Sequence, residues 1–173
     1  MHKVIAFILE VFLSLCALWL TSFFSTLLHE LGHAAGYMLS TGGRRWHIRV
    51  GSGKRLFETK LLTVKLFVFD GCFTPSEKKF DTKAKLVSTL LGGPAASLLT
   101  VAGLLALRFG GLSFRSDFFA EGVVEFFLNT AIFINLGILI LSILPVRYFW
   151  GETRGMETDG LKIIKTIKDG RKP

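Results

Sequence analysis

The sequence predicts a mostly α-helical, polytopic membrane protein, with a core of three membrane-spanning helices and a small β element in the loop after the first helix. Three observations carry this. Half of the 173 residues are hydrophobic and only 20% are charged, with a mean hydropathy of +0.50. The apolar residues gather into runs without a single charge, at 11–28, 86–107 and 126–146. The basic residues gather elsewhere. A water-soluble chain of this length has one core to fill, whereas about 20 apolar residues at 1.5 Å each cover a hydrocarbon layer of roughly 30 Å. The composition excludes disorder, a collagen-like fibre and a disulfide scaffold, because Cys16 and Cys72 have no metal-type spacing and need not pair.

The first helix is expected over residues 4–38. Residues 4–9 are also apolar and only Glu10 interrupts the run, which then continues through His33 towards Met38. No small-x-small cleavage site follows it, so it is read as a retained helix. The second helix is expected at 84–107 and the third at 122–146. Between the first two, Trp46, Ile48 and Val50 alternate with His47 and Arg49, Gly51-Ser52-Gly53 turns the chain, and residues 61–69 have strand composition. That predicts an antiparallel β element at about 44–70, lying at the membrane surface. The tail, 147–173, carries Leu161-Lys162-Ile163-Ile164-Lys165-Thr166-Ile167-Lys168, an amphipathic basic helix suited to an anionic leaflet.

Charge sets the orientation. Of 21 Lys and Arg, eleven fall in 40–85 and seven in the tail, while Lys3, Arg108 and Arg115 make up the rest. Basic residues favour cytoplasmic loops, so the first loop and the C-terminus are expected in the cytoplasm, the 108–119 loop outside, and the protein in the cell membrane with three crossings. The net charge of +8 has a nucleic-acid reading, but no binding motif accompanies it and no nucleic-acid partner is expected. The partners expected are the lipid bilayer and a membrane-bound substrate. No signal for an oligomeric state is present.

The chemistry sits at the inner end of the first run, in His29-Glu30-Leu31-Gly32-His33. On a helix, residues four apart face the same way, so both imidazoles can bind one Zn²⁺. Glu30 can then reach a metal-bound water as general base. With 4 His and 8 Glu in the chain, chance would produce such a pattern with a probability of roughly 0.4%. The bland reading, interfacial polar residues at a helix end, is weakened by the cost of placing three such groups in a membrane helix. A catalytic zinc needs a third protein ligand. Leu39 stands where the metzincin spacing would put a third His, so the ligand is sought among Glu58, Asp70, Glu152, Glu157 and Asp159.

The whole arrangement resembles the site-2 protease group of intramembrane zinc metallopeptidases. In that family a His-Glu-x-x-His ends an N-terminal membrane helix and an Asp-Gly follows a third one, which here is Asp159-Gly160 after Pro145. Gly92-Gly93-Pro94-Ala95-Ala96-Ser97 is similar to the family's Ala-Gly-Pro-x-x-Asn, and Val50-Gly51-Ser52-Gly53 with Leu56-Phe57 is similar to its Gly-x-Gly β segment. The resemblance implies His29, His33 and Asp159 as zinc ligands, Glu30 as the catalytic base, and hydrolysis of peptide bonds in membrane-associated protein or peptide substrates. It departs from the family at Ser142 and Ser97, which stand in for Asn, and in the 13 residues between Pro145 and Asp159. Asn135, two turns before Ser142, reads as an interhelical hydrogen-bonding residue. Two other classes compete: a non-catalytic membrane scaffold that keeps the metal site, and a metal-ion transport protein. Glu30, which is not a ligand, and the scarcity of other intramembrane acids favour the peptidase.

Overall fold

The computed structural model describes residues 2–77, 79–110 and 121–168. The 108–119 loop therefore falls mostly outside the described residues, as does the end of the tail. The architecture is mostly helical, and three of its helices are long and apolar enough to cross a membrane.

Helix α1 (His2–Thr41) is 40 residues long, about 60 Å at 1.5 Å per residue. Its two halves have different jobs. Residues such as Val4, Phe7, Phe12 and Leu15 in the first half are exposed, whereas Ser22, Thr26, His29, Glu30, His33 and Tyr37 form a buried stripe recurring every three or four residues. Helical periodicity thus puts all three motif residues on the packed side.

The stripe faces a two-stranded antiparallel hairpin, β1 (Trp46–Glu58) and β2 (Leu62–Pro75). The hairpin is longer than the expected 44–70, and its turn lies at 59–61 rather than at Gly51-Ser52-Gly53. Gly51 and Gly53 have φ of 90° and 81°, a region open mainly to glycine. They bend β1 within a run of register shifts instead of ending it. The bend lets residues 48–50 pair with 71–73 on one edge and with 62–64 on the other. Ile48, Val50 and Val68 are consequently sealed in a core with Ala34 of α1. Where the alternative is water, each such side chain contributes about 1.5–3 kcal/mol. Two α1 side chains tie down β2: Trp19 Nε1 donates to the Leu66 carbonyl at 2.7 Å and Thr26 Oγ1 to that of Val68 at 3.1 Å.

Helix α2 (Lys83–Phe109) starts at Thr82, whose side chain accepts from the Lys85 N–H at 3.4 Å. It packs on α1 across glycines. A Cβ on Gly32 would lie 2.6 Å from the Ala96 Cβ, and one on Gly36 would lie 2.6 Å from the Ser88 carbonyl oxygen, so the contact exists only because these positions carry no side chain. Helix α3 (Glu121–Ile143) stops three residues short of the expected 146, because Pro145 disfavours a helical conformation in the residue before it. Asn135 Nδ2 donates to Ser25 Oγ of α1 at 2.8 Å, the interhelical role expected of it. Helix α4 (Asp159–Lys168) is the basic segment expected in the tail.

Candidate metal centre

The two ends of the chain meet in the site. His29 and His33 come from adjacent turns of α1, their rings edge to face with centroids 4.9 Å apart. Asp159 comes from the first turn of α4. Its Oδ2 lies 3.6 Å from His29 Nε2 and 3.2 Å from His33 Nε2. All three residues are buried, with donor atoms mutually within 4.8 Å. Ligands held about 2.0–2.1 Å from a tetrahedral Zn²⁺ stand roughly 3.3–3.4 Å from one another. The two measured separations bracket that edge length.

What fixes the rings is on α2. Thr89, Gly93 and Ser97 recur every four residues along one face of that helix. The Thr89 carbonyl lies 2.9 Å from His33 Nδ1, and Ser97 Oγ lies 2.9 Å from His29 Nδ1. With Nδ1 of both rings engaged, Nε2 of both is the nitrogen that faces Asp159, the division of labour that orients metal-binding imidazoles. Gly93 sits between them, and a Cβ there would lie 2.7 Å from His29 Nε2. In the sequence Ser97 stands out only as a departure from an Asn. The available signal was the Thr89–Gly93–Ser97 spacing beside a Gly-Gly pair that lets α1 approach.

Asp159 is delivered by the junction of α3 and α4. Thr158, fully buried, donates from Oγ1 to the Leu144 carbonyl at 2.5 Å, and its oxygen lies 3.4 Å from the Leu161 N–H of α4. Gly160 then presses against the end of α3, where a Cβ would lie 2.6 Å from the Ile143 carbonyl carbon. A glycine at 160 is therefore what this junction requires. Burial raises the Asp159 carboxyl, but hydrogen bonds to the two imidazoles outweigh it and hold the group well below the usual carboxylate range.

Glu30 is buried beside this group without belonging to it. Gly71 of β2 makes room for it, since a Cβ there would come within 2.8 Å of Glu30 Cγ. Glu30, the two histidines and Asp159 line one cleft, together with Asp70 to Phe73 of the hairpin and Tyr148, Trp150 and Met156 of the segment before α4. Burial pushes the Tyr148 phenol upward, and the charges of Asp159 and Glu30 add to this.

The other acids weighed as ligands have cationic partners. Glu58 pairs with Arg55. Glu157 pairs with Lys165 and, at 3.1 Å, with Arg147. Asp70 lies 3.4 Å from Arg49 Nη1 and accepts from the Glu152 N–H at 3.2 Å. Glu152 meets Lys65 Nζ at 2.6 Å and accepts from the Gly53 N–H at 3.2 Å. The segment between Pro145 and Asp159 is thus strapped to the hairpin and forms the wall opposite it. His47 hydrogen bonds to Thr63 Oγ1 at 2.9 Å within the hairpin, away from the group.

No family model matches the chain, and no curated protein or solved structure matches it either.

Proposed function

We propose that the chain is a membrane-embedded zinc endopeptidase that hydrolyses peptide bonds in membrane-associated proteins or peptides. The observation that carries this reading is the separation of roles among four buried side chains. His29, His33 and Asp159 bring three possible ligand atoms within 4.8 Å of one another, Asp159 Oδ2 lying 3.6 and 3.2 Å from the two Nε2 atoms, while Glu30, next to His29 in the chain, stays outside the set. The imidazoles are already oriented by Thr89 and Ser97, so Glu30 is not needed to aim them, and hydrolysis needs such a carboxylate as base.

Nε2 of His29 and His33 and Oδ2 of Asp159 would hold the ion, with Ser97 and Thr89 keeping the rings aimed. Bound Zn²⁺ supplies a Lewis acid for the peptide carbonyl and lowers the pKa of water towards neutrality. Glu30 takes the proton of the attacking water and gives it to the departing amine. In this reading α1, α2 and α3 span the cell membrane. His29 stands 12 residues before the end of α1, about 18 Å along the axis, which puts the cleft on the side of the hairpin and α4. The basic residues of the loop and tail favour the cytoplasm for that side.

Metal removal tests the reading. The purified protein in detergent micelles should cleave members of a pool of internally quenched single-span peptides. A chelator should stop cleavage and stoichiometric zinc restore it. Cleavage indifferent to the chelator would refute a zinc peptidase.

A further inference from the structure

Hydrolysis of an amide gathers negative charge on the carbonyl oxygen, and sites that do this well aim a fixed donor at that oxygen in addition to any metal. The polar groups lining the cleft can be sorted by whether they are already engaged. Thr26 donates to the Val68 carbonyl at 3.1 Å, Thr153 Oγ1 lies 3.5 Å from the Trp150 carbonyl, and Lys162 Nζ lies 3.6 Å from Asp159 Oδ1. Among the described residues the Tyr148 hydroxyl makes no hydrogen bond, and Tyr148 lines the cleft with Glu30 and Asp159 and feels the charge of both.

Its backbone is held through both its N–H and its carbonyl. The Tyr148 N–H donates to the Met156 carbonyl at 3.0 Å and its carbonyl accepts from the Gly155 N–H at 2.7 Å. The flanking Arg147 and Glu157 form a β-bridge. The Thr158 N–H closes the loop by donating to the Val146 carbonyl at 3.1 Å, and Asp159 follows at once. The 13 residues after Pro145 therefore make a small two-sided platform that fixes Tyr148 relative to Asp159.

We propose that Tyr148 is a catalytic residue, its hydroxyl donating a hydrogen bond to the carbonyl oxygen of the scissile peptide as charge develops there. This rests on the peptidase reading above. As the water oxygen bonds to the carbonyl carbon, its proton passes to Glu30 and the carbonyl π pair moves onto oxygen, where the phenol meets it. Collapse returns that pair and breaks the C–N bond, and the proton on Glu30 goes to the amine. The phenol keeps its own proton throughout. Trp150, whose ring lies 6.4 Å from that of Tyr148, is the rival donor in the same wall.

The test compares parent, Tyr148→Phe, Trp150→Phe and Glu30→Gln as full chains in micelles, using the best-cleaved peptide of the pool. It also uses that peptide's phosphinate, a tetrahedral anionic mimic, as inhibitor. Tyr148→Phe should lower kcat by about 10²- to 10³-fold, with KM and zinc content within about twofold of the parent. Phosphinate affinity should fall by a similar factor while affinity for an uncleavable amide stays put, because the bond forms with the transition state. Full kcat in Tyr148→Phe, loss of zinc, an equal loss of both inhibitors, or the whole effect appearing in Trp150→Phe would each overturn the assignment. If the parent shows no cleavage that Glu30→Gln removes, the peptidase reading falls with it. If Glu30→Gln is dead and Tyr148→Phe is not, only the role of Tyr148 falls.

Discussion

Oδ2 of Asp159 lies 3.2 Å from Nε2 of His33, and Gly160 is what permits that approach. With any side chain at 160, the start of α4 would have to back away from the Ile143 carbonyl, taking Asp159 with it. Gly160→Ala should therefore weaken zinc binding at least tenfold although it touches no ligand. Asp159→Ala should cost more than the roughly 10- to 100-fold of a lost supporting residue, whereas Glu157→Ala should leave metal content near that of the parent, since Glu157 is bound to Lys165. Zinc titration of the three variants checks this ranking.

The close passage of α2 behind the imidazoles gives a second contrast. A methyl at Gly93 would meet both Nε2 atoms, 2.7 Å from that of His29, while one at Gly103 would meet nothing within 4 Å. Gly93→Ala should lose zinc and activity. Gly103→Ala should keep both and be neutral or more stable by up to about 1 kcal/mol, the usual gain of Ala over Gly in a helix.

The strap has a pH signature. Lys65 holds the Glu152 carboxyl below its ordinary 4.5, so the ionised form favours the folded state. That contribution is complete above the ordinary carboxylate value and is lost as pH falls through the lowered one. The thermal midpoint of the parent should exceed that of Glu152→Gln at pH 7, the difference shrinking in high salt and vanishing once pH has fallen through the lowered carboxyl value. A difference that persists in acid would show that Glu152 acts through packing instead.

Orientation follows from the basic residues. A reporter inserted at the hairpin turn, 59–61, or fused after Pro173 should behave as cytoplasmic, and one in the 108–119 loop as external. A hairpin reporter accessible from outside would reverse the orientation.

The helices and the histidine pair were legible because each is a local pattern: an uncharged run long enough to span a bilayer, and two imidazoles four residues apart. Asp159 was legible only through the Asp-Gly resemblance, since geometry alone left five acids open. The structure sorts four of them onto neighbouring cations, and for Asp70, Glu58 and Glu152 those cations are on the folded hairpin. Gly51 and Gly53 were misread because glycine signals positive φ, and a bend inside a strand needs that as much as a turn does. The link between Ser97 and His29 is tertiary, and no single-helix pattern contains it.

The central claim is that one metal and one separate base share this cleft. Zinc content and peptide cleavage measured on the same preparation of Glu30→Gln test it most directly. The account predicts about one zinc per chain, as in the parent, with cleavage lost. A variant that cleaves like the parent, or one that loses its metal along with its activity, would contradict the role given to Glu30.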